Sequence, residues 1–155
     1  MLKINFIVYS QPMLWNKIEQ IKDLLSRKRQ IVIVSHRNPD GDAYGSSLGL
    51  YHFLKKKGHT VNFVTPNDSP DFLKWMPGVK EILIFEENQA AATEVLQRAE
   101  IIFALDFNAL NRVGNEMQAV LEKIDPVYVL IDHHPDPEDF ADFSFVDEKI
   151  CSTSQ

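Results

Sequence analysis

Cysteine is almost absent: the 155 residues contain one, Cys151. An intramolecular disulfide is therefore excluded, and the usage fits a reducing cytoplasm. Long apolar runs are missing too. A transmembrane helix needs about 20 apolar residues in succession, and no stretch approaches that. The opening Met-Leu-Lys-Ile-Asn-Phe-Ile-Val is broken by Lys3 and Asn5 and leads to no small-residue cleavage site, so it does not read as a secretion signal. An excess of positive charge is also lacking. Sixteen Lys and Arg stand against 22 Asp and Glu, a net charge of -6. A dedicated duplex-DNA binder needs a basic face, so that class drops out, and nothing in the sequence suggests a membrane partner. There is no internal repeat, low-complexity tract or evident linker. What is present is an apolar share of 45% with ten Phe. That rules out disorder and suits one globular domain, since a chain of roughly 150 residues can bury most of its unfolded surface.

Apolar residues Leu14, Ile18, Ile21 and Leu25 recur at helical spacing, which predicts an amphipathic helix over 12–29. The run Ile31-Val32-Ile33-Val34 lacks alternation, as expected of a strand buried on both faces. A helix over 42–57 follows, with Gly58 as its stop. Strands are expected at 61–64, 82–85, 101–105 and 127–131, with helices at 88–99 and 115–124. Residues 67–78 read as an irregular loop with one turn of helix at most. A short additional strand fits 143–146 within an acidic, loop-like final stretch. Strands alternating with helices specify right-handed βαβ units. The fold class is therefore α/β, a parallel sheet of about five strands with helices on both faces. Near the end, Ser152 or Thr153 has the chemistry of a helix N-cap, yet no helix follows in the sequence.

Three of these strands run into metal-ligand residue types. The first leads into Ser35-His36-Arg37-Asn38-Pro39-Asp40-Gly41-Asp42, the fourth into Asp106, and the fifth into Asp132-His133-His134. Ligands of open parallel sheets bind outside the carboxyl ends of the strands, so these distant residues converge on one rim. Each alone has an ordinary reading. Asp-Gly-Asp suits a solvated turn or helix start, and a His pair after a strand is common loop composition. Their conjunction at three strand ends is what points to a site. Carboxylate oxygens with imidazole nitrogens suit Mn²⁺ and, less selectively, Mg²⁺, Fe²⁺, Co²⁺ or Zn²⁺. No thiolate joins the cluster, which weakens a structural-zinc reading. His36, Asp40 and Asp42 share a tight loop, its two Asp can face different ions, and Asp106 could bridge two ions about 3.5–4 Å apart. Such a pair can acidify water and neutralise phosphoryl oxygens, so the expected reaction is hydrolysis of a phosphate ester or anhydride.

His52 and His59 receive structural readings, one on a helix and one in the turn after Gly58. Lys55-Lys56-Lys57 suits a helix C-terminus. Trp15 and Trp75 read as packing residues rather than base-stacking platforms, and Cys151 as inert.

The segment from Ser35 to Ser46, followed by Asp106 and by Asp132-His133-His134, resembles the DHH phosphoesterase family. The stretch from Asp106 through Arg112 to Gly114 is similar to the NrnA-type branch, the bifunctional oligoribonucleases and pAp phosphatases. The likeness covers roughly residues 25–155, and the combination is highly specific. It implies that His36 and Asp40 bind one metal, Asp42 and His133 the other, and that Asp106 bridges both. It implies that His134 contacts substrate phosphate or stabilises the transition state. Asp132 then supports the site from behind or ligates directly, and Arg112 is a candidate phosphate contact or a plain surface arginine. The Gly45-Ser46 pair is expected to allow close packing of the helix behind the first motif.

The resemblance further implies a cytoplasmic Mn²⁺-dependent phosphohydrolase with two ions per complete site, Mg²⁺ or Co²⁺ being substitutes. Metal-activated water would cleave short oligoribonucleotides or 3′-phosphoadenosine 5′-phosphate. Cleavage of cyclic or linear dinucleotides uses the same centre and stays open, as do a homodimer and a non-catalytic nucleotide- or metal-binding module. The family also has a fourth aspartate motif and a C-terminal DHHA1 domain. Only 21 residues follow His134 here. The expectation is an incomplete DHH domain over 1–155, truncated from a protein roughly twice as long, with a divergent stand-alone domain as the alternative.

Overall fold

The computed structural model describes residues 11–155, with side chains from Leu14 onward; the reading of the first eight residues as no secretion signal lies outside this range. Among the described residues, four α-helices and six strands follow one another along the chain. They are α1 (Gln11–Leu24), β1 (Gln30–Val34), α2 (Gly41–Lys56), β2 (Thr60–Thr65), β3 (Leu83–Ile84) and α3 (Gln89–Gln97). Then come β4 (Ile101–Leu105), α4 (Asn115–Leu121), β5 (Val127–Asp132) and β6 (Phe143–Val146). Short 3-10 turns lie at Asp71–Leu73, Val79–Glu81 and Leu110–Val113.

All six strands form one sheet in the order β3-β2-β1-β4-β5-β6, and every pairing is parallel. This is the doubly wound order, with its reversal of direction between β1 and β4. The central strands are buried on both faces, which explains why their sequences run apolar without alternation. On one face Ile31, Ile33, Ile101, Phe103 and Val129 pack against Tyr44, Leu48, Tyr51 and Leu54 of α2, with Ile21 and Leu24 of α1 alongside. On the other, Val32, Val34, Ile102, Ala104 and Leu130 pack against Ala92 and Leu96 of α3 and Met117 and Leu121 of α4. The period-2 alternation of β1 thus divides its side chains between two cores.

Helix ends follow their local chemistry. The first helix stops at Leu24, short of the expected Arg29, because its last carbonyls find other donors: Ser26 Oγ bonds Asp23 O at 2.6 Å and Arg29 Nε bonds Leu24 O at 3.1 Å. Asp40 caps α2, accepting from the amides of Asp42 at 2.9 Å and Ala43 at 3.1 Å. Gly58 follows α2 at φ +90°, a conformation that suits glycine. Asn88 caps α3 by accepting from Ala91 N at 3.2 Å.

The sixth strand extends the parallel sheet although no helix lies between it and β5. Parallel strands usually need a longer crossover. Here residues 133–142 make it as irregular chain, anchored by Phe140. That ring stacks on Phe107 at 6.3 Å and meets Tyr128 edge-on at 6.1 Å. Among the bland readings, His59 is buried and its Nδ1 accepts from Arg29 N at 3.3 Å. Exposed His52 bonds Pro77 O at 2.9 Å. Lys55 pairs with Glu81 at 2.9 Å. Of the core or surface packing open to Trp15 and Trp75, the structure shows the surface: both rings are exposed.

Ile33 sits at the centre of β1 and is fully buried. Ile33→Ala should cost about 2–5 kcal/mol of folding stability, read from urea unfolding at unchanged m-value. A loss within experimental error would contradict the packing of α2 against this face.

Candidate metal centre

The site lies where the sheet reverses direction. The chain leaves β1 through Ser35 and His36, leaves β4 through Asp106, and ends β5 at Asp132 before His133 and His134. Since β4 pairs with both β1 and β5, the three strand ends are neighbours at one rim.

Asp106 is the common member. Its backbone adopts φ +67°, a left-handed conformation that Asp and Asn tolerate better than other side chains bearing a Cβ. Its carboxylate is buried, and its two oxygens face different histidines. Oδ2 lies 3.8 Å from His36 Nε2, and Oδ1 lies 3.5 Å from His133 Nε2. His133 Nε2 is also 3.6 Å from Asp42 Oδ2. One ligand atom each from His36, Asp40 and Asp106 falls within 4.8 Å of the others, and so does one each from Asp106, His133 and His134. Two potential cation sites therefore share one aspartate.

The histidines are oriented for ligation. His36 Nδ1 lies 2.8 Å from the carbonyl of Arg37, and His133 Nδ1 lies 3.4 Å from that of Ile150. A carbonyl only accepts, so each Nδ1 carries the proton and, in the neutral ring, each Nε2 keeps its lone pair toward Asp106. His134 Nδ1 donates likewise to Asp132 Oδ1 at 2.7 Å. Asp132 is almost fully buried, and its Oδ2 has no hydrogen-bond partner.

Among the described residues, no lysine or arginine forms an ion pair with Asp40, Asp42, Asp106 or Asp132. Buried or clustered carboxylates without a cation repel one another and lose solvation. This donor set of oxygens and imidazole nitrogens therefore fits divalent cations of intermediate hardness.

The structure brings together His36, Asp40, Asp42, Asp106, Asp132, His133 and His134. Arg112 is different. It lies exposed in the turn Leu110–Val113, and its backbone carbonyl accepts from Arg37 N at 2.8 Å. No ion pair or hydrogen bond engages its side chain among the described residues. Gly45 also departs from expectation. A Cβ there would meet only Ser154 Oγ, at 3.6 Å, an ordinary contact rather than close packing against the sheet.

Thr153 was readable in sequence only as a cap-type residue lacking a helix, and Ser154 drew no reading. They cap the site instead. Thr153 Oγ1 donates to Asp106 Oδ1 at 2.7 Å, and the amides of Thr153 and Ser154 donate to Asp42 at 2.8 and 3.2 Å. No sequence spacing signals this contact, because 111 residues separate Thr153 from Asp42. The later acids lie elsewhere: Asp142 accepts from Tyr128 N at 2.8 Å and Asp147 from Lys149 N at 3.0 Å.

Burial pushes the His36 pKa down. The Asp106 carboxylate, the Arg37 carbonyl and Asp40 outweigh it and leave the pKa raised. In the metal-free protein, protonated His36 should therefore contribute stability below its ordinary titration range, and that contribution should fade as pH rises through the raised folded value. Urea midpoints on either side of this range check it. His36→Gln should flatten that part of the profile, and an unchanged profile would remove His36 as its source.

Residues 30–155 match the family described as "DHH family, N-terminal domain". The chain is 32% identical over 146 residues to the bifunctional oligoribonuclease and PAP phosphatase NrnA of Thermus thermophilus, a match covering 94% of this chain and 40% of that protein. It is 25% identical over 128 residues to the cyclic-di-AMP phosphodiesterase PdeA of Listeria monocytogenes, covering 79% of this chain and 19% of that one. The crystal structure of an exopolyphosphatase-related protein from Bacteroides fragilis superposes with a TM-score of 0.87 at 45% identity, covering 90% of this chain and 41% of that one. The chain thus spans about 40% of the length of these relatives, and less of the Listeria protein.

Proposed function

The chain belongs to the DHH family, and on that premise we propose that it is the metal-holding part of a Mn²⁺-dependent phosphohydrolase. Its substrates on this reading are short oligoribonucleotides and 3′-phosphoadenosine 5′-phosphate. The observation that carries the proposal is the division of Asp106, with one oxygen toward His36 and the other toward His133. A carboxylate used in this way suits two cations acting on one phosphorus.

His36, Asp40 and Asp106 would hold one ion, and Asp42, His133 and Asp106 the other. When bound, such a pair supplies acidified water and neutralises charge on the phosphoryl oxygens. The protein's own residues do the rest. The Arg37 and Ile150 carbonyls hold the His36 and His133 rings with Nε2 toward the acids. Asp132 accepts the Nδ1–H of His134 and orients the ring; with the ring in its imidazolium form, Nε2–H would donate to a non-bridging phosphate oxygen and offset charge as the bond to the leaving group breaks. Arg112 stands exposed on the same rim, beyond Asp106, as a candidate contact for a more distant phosphate.

The oxygen-rich donor set favours Mn²⁺, with Mg²⁺ or Co²⁺ as substitutes. Similarity to the Thermus protein along nearly the whole chain supports the oligoribonuclease and phosphatase reading. Similarity to the Listeria protein favours dinucleotide cleavage as a second reading. The same reaction at the same centre serves both. No helix among the described residues is long and apolar enough to cross a membrane, and the single cysteine supports a cytoplasmic setting.

The test is Mn²⁺-dependent release of nucleoside monophosphate from pApA, run beside pAp and cyclic di-adenylate. Asp106→Asn keeps a side chain that tolerates the left-handed backbone but removes the shared charge. It should lower kcat/KM by at least about a hundredfold, equivalent to about 2.7 kcal/mol. Turnover retained in Asp106→Asn would overturn the bridging role. Preference for cyclic di-adenylate over pAp would select the second reading.

A further inference from the structure

Residues 151–155 close a small turn of their own: Gln155 N donates to Ser152 O at 3.2 Å, and Cys151 N to Gln155 Oε1 at 3.3 Å. The turn directs four donors at two acids of the site. Thr153 Oγ1 reaches Asp106 Oδ1 at 2.7 Å, and Thr153 N reaches Asp42 Oδ2 at 2.8 Å. Ser154 N and Oγ both reach Asp42 Oδ1, at 3.2 and 2.9 Å.

We infer that Thr153 is a positioning residue of the metal centre, its hydroxyl fixing the carboxylate of Asp106 while its amide, with Ser154, fixes that of Asp42. The inference rests on the metal-site reading above. A carboxylate oxygen offers about two lone-pair sites. Ser154 fills both on Asp42 Oδ1. One remains on Asp42 Oδ2, which faces His133 Nε2 at 3.6 Å. One likewise remains on Asp106 Oδ1, which faces the same nitrogen at 3.5 Å. The turn therefore leaves Asp42 one oxygen for a cation and leaves Asp106 both, since nothing in the turn touches Oδ2. Asp106 has particular need of such a holder. It stands on a left-handed backbone at the end of β4, and among the described residues the Thr153 hydroxyl makes the one side-chain hydrogen bond to its carboxylate. Groups that orient ligands from behind typically change metal affinity by about 10–100-fold when removed.

The opposite arrangement would leave the same contacts. If the Thr153 hydroxyl merely filled the cation's place, removing it would strengthen metal binding. The two cases differ in sign, so a titration separates them. The measurement is Mn²⁺ binding to the intact chain, following the free-ion signal by electron paramagnetic resonance, which needs no turnover. Thr153→Val, nearly isosteric but without the donor, should weaken binding about tenfold or more. Thr153→Ala should do the same, and Thr153→Ser should restore the parent affinity. Thermal unfolding of the metal-free variants, expected to stay cooperative with a midpoint lowered by the lost hydrogen bond to a carboxylate, checks that the fold is intact. Unchanged or tighter binding in Thr153→Val and Thr153→Ala would overturn the inference. So would failure of Thr153→Ser to rescue. Asp106→Asn, measured alongside, separates the two levels of the argument. If it binds Mn²⁺ like the parent, the metal-site reading itself is wrong. If it loses binding while the Thr153 variants do not, only the positioning role is wrong.

Discussion

Asp106 carries a carboxylate that is buried, stands on a left-handed backbone and, among the described residues, has no lysine or arginine paired to it. An ionised group taken out of water costs several kcal/mol unless something compensates. The Thr153 hydroxyl provides part of that compensation. The sheet is arranged so that the remainder can come from cations. Because β4 lies between β1 and β5, one residue at its end can reach ligands delivered by both neighbours. A different strand order would leave Asp106 facing only one of them. The doubly wound order is thus the condition on which the shared aspartate depends.

The same constraint accounts for the uneven composition of the chain. Apolar residues fill β1, β4 and β5 almost completely, and polarity begins at the residue where each strand ends. Ser35 follows Val34, Asp106 follows Leu105, and Asp132 closes β5 after Ile131. A parallel sheet needs both faces covered, so the cores of α1 with α2 and of α3 with α4 exclude charge from the strands. The rim is the one place where the three strands can present charge together. The helices contribute there too: Asp40 caps α2 with one oxygen, so the group that starts the helix is also held at the edge of the site.

Much of this was legible in the sequence for a physical reason. Strand identity follows from short β-branched runs, and a ligand set placed directly after such runs inherits its position from them. That logic reached His36, Asp40, Asp42, Asp106, Asp132, His133 and His134. It did not reach Thr153 or Ser154, whose contacts with Asp42 and Asp106 are made by a turn with no periodic pattern. Nor did it give the end of α1, where Ser26 and Arg29 satisfy the last carbonyls early. Arg112 stands apart: its side chain has no partner among the described residues, and its backbone carbonyl accepts from Arg37 N. Composition alone also left open whether Trp15 and Trp75 pack in the core or on the surface, and the structure places both on the surface.

The charge balance of the rim bears on the order of events in the proposed reaction. Four aspartates cluster there, and the nearby Arg37 is already paired with Glu86. A phosphate ester is itself an anion, so the metal-free rim repels it. Arg112 is one exposed charge against several acids, too little to reverse that field on its own. On the proposed reading, cations bound between His36, Asp106 and His133 would change the sign of the site. They would remove the mutual repulsion of the acids and create an attraction for phosphate in one step. The aspartates would then serve substrate only after they had bound metal, and a turn at Thr153 that holds them in place would matter to both.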